Sequence, residues 1–247
     1  MTDTLFLADF RRACTSNSCP FCALLTETAR RYFSSLLNGF TLAPDIHQRL
    51  ARSRGFCRAH AWLLKEVEQG ERGDGNGTAT LYSTVLQDIR GELDACLAEP
   101  TSGAATKTHW WSASPAPFGK RLRERLRPEG ICLMCEHQKE TEEFALEQLI
   151  EALDEAGSSG ELALLYDASA GACLPHFLRL LGRASMDSTA RWLALIQRQH
   201  LAALEAQLDA YRNRDYQKTQ SEAEADCWIR ALAQTAGLPH AFGEVVE

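Results

Sequence analysis

The chain has 247 residues and a formal net charge of −7, and 45% of its residues are hydrophobic while 24% are charged. This is the balance of a globular protein, long enough for one large or two small domains with a core that needs no metal or disulfide to form. The acidic charge excludes a broad polyanion-binding surface, so nucleic acid is not an expected partner. No apolar run reaches the length of a membrane span and the N-terminus lacks the features of a signal peptide, so we expect a cytoplasmic protein.

The chain contains nine cysteines, which in a reducing cytoplasm are not expected to form disulfides. Six of them recur with two histidines as C-x-x-C followed by G-[FA]-C-x-x-H, once in each half of the chain, and this repetition predicts an internal duplication. The recurring residues are Cys19, Cys22, Cys57 and His60 in the first half and Cys132, Cys135, Cys173 and His176 in the second.

Apolar residues recur at three- and four-residue steps through most of the chain, which predicts amphipathic helices, and no segment shows sustained strand alternation. Each half is predicted to contain four helices, of which the first starts at the C-x-x-C and the third at the C-x-x-H. The short second helices are predicted near 44–53 and 159–168, the long fourth helices near 77–98 and 187–213, and a final helix over 222–236.

The two motifs have the spacing of a metal site. At a helix start, residues i and i+3 lie on one face, so each motif presents two ligand atoms together. We expect the two motifs of each half to converge, so that Cys19 and Cys22 join Cys57 and His60. Three thiolates and one imidazole form the closed tetrahedral set of structural zinc, with no position left for a catalytic water. The sequence therefore predicts two zinc ions per chain, held by all eight recurring residues, and no catalytic residue.

Other interpretations of the cysteines stay open. Two [4Fe–4S] clusters for electron transfer or redox sensing would also use C-x-x-C, but such clusters are normally held by four cysteines, so the histidines favour zinc. A thiol oxidoreductase would need a βαβ context that the pattern lacks. Buried cysteines can also act as small apolar packing residues, and this is the interpretation for Cys14, Cys96 and Cys227, which have no counterparts in the duplication.

The predicted fold class is all-α, with two pseudo-repeated four-helix units, each organised around a Cys3His metal site, and a C-terminal helix. The predicted domains are residues 1–98 and 119–247, separated by a linker or long loop at 99–118 that is rich in Pro, Ser and Thr. Trp110 and Trp111 lie in this linker, where they would either dock a partner or cover the core. The basic run 120–127 is interpreted as a solvated helix face.

The order of motifs resembles an uncharacterised bacterial family of cysteine-rich helical proteins. The resemblance covers most of the chain, although the second C-x-x-C lacks the proline of the first. It implies the helical architecture and the eight metal ligands, but it implies no activity. The elements that carry the resemblance are Cys19–Cys22, Gly55–His60, Tyr82, Cys132–Cys135, Cys173–Phe177 and Glu224–Leu232.

The function expected from these features is that of a metal-binding cytoplasmic protein that acts as a binding or scaffold module rather than as an enzyme. Zinc would hold helix starts together and so shape a groove between helices, in which a protein partner or a small ligand would bind. The alternative is a two-cluster iron–sulfur protein.

Overall fold

The computed structural model describes residues 4–71, 73–99, 116–213 and 226–241, and within these residues the regular structure is helical, without a strand. The predicted all-α fold class is confirmed. The helices are α1 (Thr4–Cys14), α2 (Pro20–Ser35), α3 (Pro44–Ser53), α4 (Arg58–Glu71), α5 (Asn76–Ala98), α6 (Phe118–Leu126), α7 (Leu133–Ala156), α8 (Glu161–Asp167), α9 (Leu174–Arg183), α10 (Asp187–Arg212) and α11 (Cys227–Ala236). A π-helical turn follows α2 at Leu36–Phe40, and a 3-10 turn follows α7 at Gly157–Ser159.

The helices recur in the order that the duplication predicts. Helices α2–α5 and α7–α10 are the predicted four of each half, with bounds close to those expected from the apolar periodicity. Each set is preceded by one further helix, α1 or α6, which the periodicity did not predict as part of the repeat. Helix α11 begins at Cys227, and residues 222–225 of the predicted final helix lie outside the described residues.

The described chain divides into two compact units that are not the two sequence halves. The first unit consists of residues 1–31 and 137–247, and the second of residues 32–136. The chain passes from one unit to the other within α2 and again within α7. Residues 100–115 of the predicted linker, including both of its tryptophans, lie outside the described residues.

A row of aromatic rings runs through the core of the first unit. Phe10 on α1 lies 5.6 Å from Phe21 on α2, and Phe21 lies 6.4 Å from Tyr166 on α8, between ring centroids. Tyr166 in turn lies 6.1 Å from Trp192 on α10. Phe10, Phe21 and Tyr166 are completely buried. Each such side chain contributes about 1.5–3 kcal/mol by burial, so this row joins helices from both repeats into one core.

In the second unit, a buried carboxylate caps the N-terminus of α5. Glu68 on α4 accepts hydrogen bonds from the backbone amides of Gly77 at 2.7 Å and Thr78 at 2.9 Å, in the first turn of α5. These amides have no partner within their own helix, and the helix dipole favours an anion at this end. A Cβ atom at Gly77 would lie 2.5 Å from Leu37 Cδ2, so a larger residue here would require the buried Leu37 side chain to shift.

We expect Glu68→Ala to lower the free energy of unfolding by about 1–3 kcal/mol, because it leaves the buried amide of Gly77 and the half-buried amide of Thr78 without an acceptor. Urea unfolding followed by circular dichroism measures the change. Glu71→Ala is the matched control, since it makes the same change at an exposed position of α4. Equal stability of the two variants would contradict the capping role.

Candidate metal centres

The eight predicted ligands all lie at helix starts. Cys19, Cys57, Cys132 and Cys173 each immediately precede the first residue of α2, α4, α7 and α9 respectively, and the second ligand of each motif follows in the first turn. The amide groups at a helix N-terminus stabilise a nearby thiolate over the neutral thiol. The local sequence therefore places the two ligands of each motif together at a helix start, where the amides favour a cysteine thiolate.

Four of the ligands form the first centre, which is completely enclosed in the first unit. It consists of Cys19, Cys22, Cys173 and His176. His176 Nδ1 lies 3.5 Å from Cys19 Sγ, 3.5 Å from Cys22 Sγ and 3.1 Å from Cys173 Sγ. Cys22 Sγ and Cys173 Sγ are 3.6 Å apart. None of the four side chains is more than 1% exposed.

The other four ligands form the second centre, in the second unit. It consists of Cys57, His60, Cys132 and Cys135. His60 Nδ1 lies 3.2 Å from Cys57 Sγ, 3.6 Å from Cys132 Sγ and 3.3 Å from Cys135 Sγ. Cys57 Sγ and Cys135 Sγ are 3.6 Å apart. Cys57 and Cys135 are partly exposed, whereas Cys132 and His60 are buried.

The predicted pairing of the motifs within each half is wrong. The C-x-x-C of the first repeat converges with the C-x-x-H of the second, and the C-x-x-H of the first repeat with the C-x-x-C of the second. Motif spacing determines which atoms share a helix face, but it contains no information about which second motif they meet. Packing decides this: the Phe21 ring, between Cys19 and Cys22, lies 5.4 Å from the His176 ring.

The geometry of both centres suits a single metal ion. All four ligand atoms of a centre lie within 4.8 Å of one another. An ion with tetrahedral bonds of about 2.3 Å to sulfur and about 2.0–2.1 Å to nitrogen holds two sulfurs about 3.8 Å apart and a sulfur and a nitrogen about 3.5 Å apart. The observed separations of 3.1–3.6 Å are close to these values. Either centre could therefore hold a metal ion with all four of its ligands.

A buried carboxylate orients the histidine of the first centre. Glu142 Oε1 on α7 lies 3.1 Å from His176 Nε2, so that Nδ1 faces the sulfurs. Arg179, one turn after His176, pairs with the other oxygen of Glu142. Although burial alone would raise the pKa of Glu142, His176 and Arg179 outweigh it and hold that pKa below its usual range. A carboxylate on the far nitrogen of a metal-binding histidine increases the basicity of the ligand.

Two buried amides position the backbone next to the same centre. Gln197 on α10 and Gln234 on α11 both donate to the carbonyl oxygen of Ala172, at 2.9 and 2.7 Å. Ala172 directly precedes Cys173. The backbone that leads into α9 is therefore tied to two other helices, which limits the movement of two ligands of the first centre.

Burial and the neighbouring thiols shift the pKa of both histidines in opposite directions. Burial alone would lower the pKa of His176, but Cys173, Cys19 and Glu142 outweigh it and raise that pKa to about 11. In the same way, Cys132 and Cys57 outweigh burial and raise the pKa of His60 to about 9. Both imidazoles thus lie in an environment that favours positive charge, and a bound cation would take the place of the proton.

The sequence contains no pattern that identifies the residues supporting the first centre. Glu142 lies in a helix rich in exposed carboxylates, and no motif distinguishes Arg179, Gln197 or Gln234.

The three cysteines outside the repeats, Cys14, Cys96 and Cys227, are buried, as predicted for packing residues. In the basic run, Arg121 and Arg125 both form ion pairs with Glu99, at 3.1 and 2.6 Å. Two of its five cations are therefore partly neutralised.

We expect Glu142→Gln to weaken zinc binding at the first centre about 10–100-fold, because a neutral amide cannot pair electrostatically with the His176 imidazole as the carboxylate does. Competition titration with a zinc chelator measures the affinity of each centre. Glu147→Gln, an exposed carboxylate on the same helix, is the control that should leave both affinities unchanged. A uniform loss at both centres would instead indicate general destabilisation.

None of the described helices combines the length and the apolar character of a membrane-crossing segment. Comparison with curated proteins yields no match, and neither does comparison with solved structures. The model of one protein family, described as a family of unknown function (DUF6062), matches residues 7–213. The chain belongs to this family, which agrees with the resemblance inferred from its cysteine motifs.

Proposed function

We propose that this protein is a cytoplasmic binding or scaffold module in which each centre holds one structural zinc ion. The observation that carries the proposal is the convergence of three sulfurs and one nitrogen within 4.8 Å, twice in one chain. Four protein ligands complete a tetrahedral shell and leave no open position for water or substrate. The proposed role of the ions is therefore to hold helix starts together rather than to catalyse a reaction.

The separations within each centre favour zinc over the iron–sulfur alternative. Ligands on the four corners of a [4Fe–4S] cluster surround eight atoms instead of one, which places their sulfurs about 6 Å apart. The sulfur pairs of 3.6 Å in both centres are too close for that arrangement. Histidine is also an ordinary ligand of structural zinc but a less usual one for a four-iron cluster.

The proposed partner is a protein or a small ligand that binds in a groove between helices. The first unit contains an open groove lined by Glu143, Glu147, Ile150 and Glu151 of α7 and by Arg183 of α9. Its carboxylates favour a partner that presents basic groups. Helix α9 begins at a metal centre, so the ion would stabilise one wall of this groove.

Elemental analysis of the full chain purified without air tests the proposal. We expect two zinc ions per chain, no visible absorbance and no acid-labile sulfide. About eight irons with matching sulfide would overturn the zinc proposal in favour of the electron-transfer alternative. An absence of any bound metal would overturn both the zinc proposal and the iron–sulfur alternative. The variant Cys14→Ala/Cys96→Ala/Cys227→Ala is the matched control, because it removes the cysteines outside the centres and should still bind two ions.

A further inference from the structure

We propose that the second centre is a redox-releasable zinc site, in which a peroxide joins Cys57 and Cys135 in a disulfide and the ion leaves, while the first centre keeps its ion. This inference rests on the proposed function, since it assigns different roles to the two proposed zinc ions. The first zinc would be a permanent structural ion, and the second would report the oxidation state of its surroundings.

The first argument is the different exposure of the two centres. Every ligand of the first centre is enclosed, with Cys22 and Cys173 at 0% exposure. In the second centre, Cys57 and Cys135 are both partly exposed, and their sulfurs are 3.6 Å apart. Oxidation of cysteine requires both thiolate character and access by the oxidant. Both centres have close sulfur pairs, but only in the second centre are both members of such a pair accessible.

The second argument is the asymmetry of the surrounding residues. Glu142 and Arg179 support the imidazole of the first centre. The residues that occupy the corresponding positions of the first repeat are Ala29 and Leu63, neither of which can accept a hydrogen bond from an imidazole. A carboxylate partner of this kind strengthens metal binding about 10–100-fold, and this Glu–Arg pair is present in the second repeat but has no counterpart at the same positions of the first.

The chemistry balances with a peroxide as the oxidant. One thiolate attacks a peroxide oxygen, the O–O bond breaks, and hydroxide leaves to take up a proton, which yields a sulfenic acid. The second thiolate, 3.6 Å away, attacks the sulfenic sulfur and expels another hydroxide, which is also protonated. Two thiolates thus lose two electrons and form one S–S bond, while hydrogen peroxide and two protons become two waters.

The disulfide removes two of the four donors of the ion. Cys132 and His60 remain, and two ligands do not form a closed zinc site. The new bond links the start of α4 to the start of α7, which are the same helix starts that the ion had joined. Release of zinc therefore need not unfold this unit, and reduction of the disulfide would restore the site.

The test treats the full zinc-loaded chain with one equivalent of hydrogen peroxide in the presence of a chromogenic zinc chelator. We expect one of the two ions to be released at least about tenfold faster than the other. Peptide mapping after alkylation should find Cys57 linked to Cys135, with the cysteines of the first centre reduced. Reduction followed by addition of zinc should restore two ions per chain.

Several outcomes would overturn the inference. These are equal release from both centres, release from neither, or a disulfide between Cys22 and Cys173. The variant lacking Cys14, Cys96 and Cys227 should give the same result, which shows that thiols outside the centres are not involved. A chain that contains no zinc before treatment would refute the proposed function itself, whereas two ions with equal sensitivity would refute only the difference between the centres.

Discussion

The double variant Cys22→Ser/Cys173→Ser is expected to bind one zinc ion, whereas Cys22→Ser/Cys57→Ser is expected to bind none. The reason is that Cys22 and Cys173 are ligands of the same centre, so the second substitution removes nothing further, while Cys57 belongs to the other centre. A set reduced to three protein ligands loses the closed coordination of a structural site. Elemental analysis of the purified variants measures the difference directly.

The opposite result is no ion in the first double variant and one ion in the second. It would show that the C-x-x-C and C-x-x-H motifs of the same sequence half share a centre. Cys96→Ser/Cys227→Ser is the control, because it replaces two buried cysteines that lie outside both centres, and it should retain two ions. Hydrogen exchange gives a second measurement, since Cys22→Ser should increase exchange in α9 as well as in α2.

Removal of both zinc ions is expected to lower the melting temperature by about 20 °C or more. Structural zinc contributes about 10 kcal/mol or more of folding free energy in small domains, and in a chain of this size each kcal/mol corresponds to about 2–4 °C. The aromatic rings of the first unit pack by apolar contact and are not metal ligands, so helical structure should persist at low temperature. Thermal melting followed by circular dichroism, before and after treatment with a strong chelator, measures the effect.

Restoring zinc should restore the original melting temperature, and calcium should not, because thiolates and imidazole are poor ligands for a hard cation. An unchanged melting temperature in protein shown to be free of metal would contradict a structural role for the ions. The cysteines would then act as buried packing residues, as Cys14, Cys96 and Cys227 do.

Short-range features of this protein could be predicted from its sequence because they depend on residues close together in the chain. The bounds of α3 and α10 follow from apolar periodicity and agree with the structure. Helix α1 was not predicted, although Phe6, Phe10 and Ala13 recur in it at helical spacing. Glu142 could not be identified as a supporting residue, because its role depends on contact with His176 on another helix.

The sequence by itself determined the all-α class, the duplication and the eight candidate ligands, because helix periodicity and the i, i+3 spacing act within a single turn. Only the tertiary structure decided that each centre takes one motif from each repeat. The two C-x-x-H motifs offer the same ligand geometry, so coordination chemistry cannot choose between them. The choice follows from the packing of Phe21 against Phe10, Tyr166 and His176. Phe21 is far along the chain from Tyr166 and His176, so these contacts form only when the core of the first unit assembles.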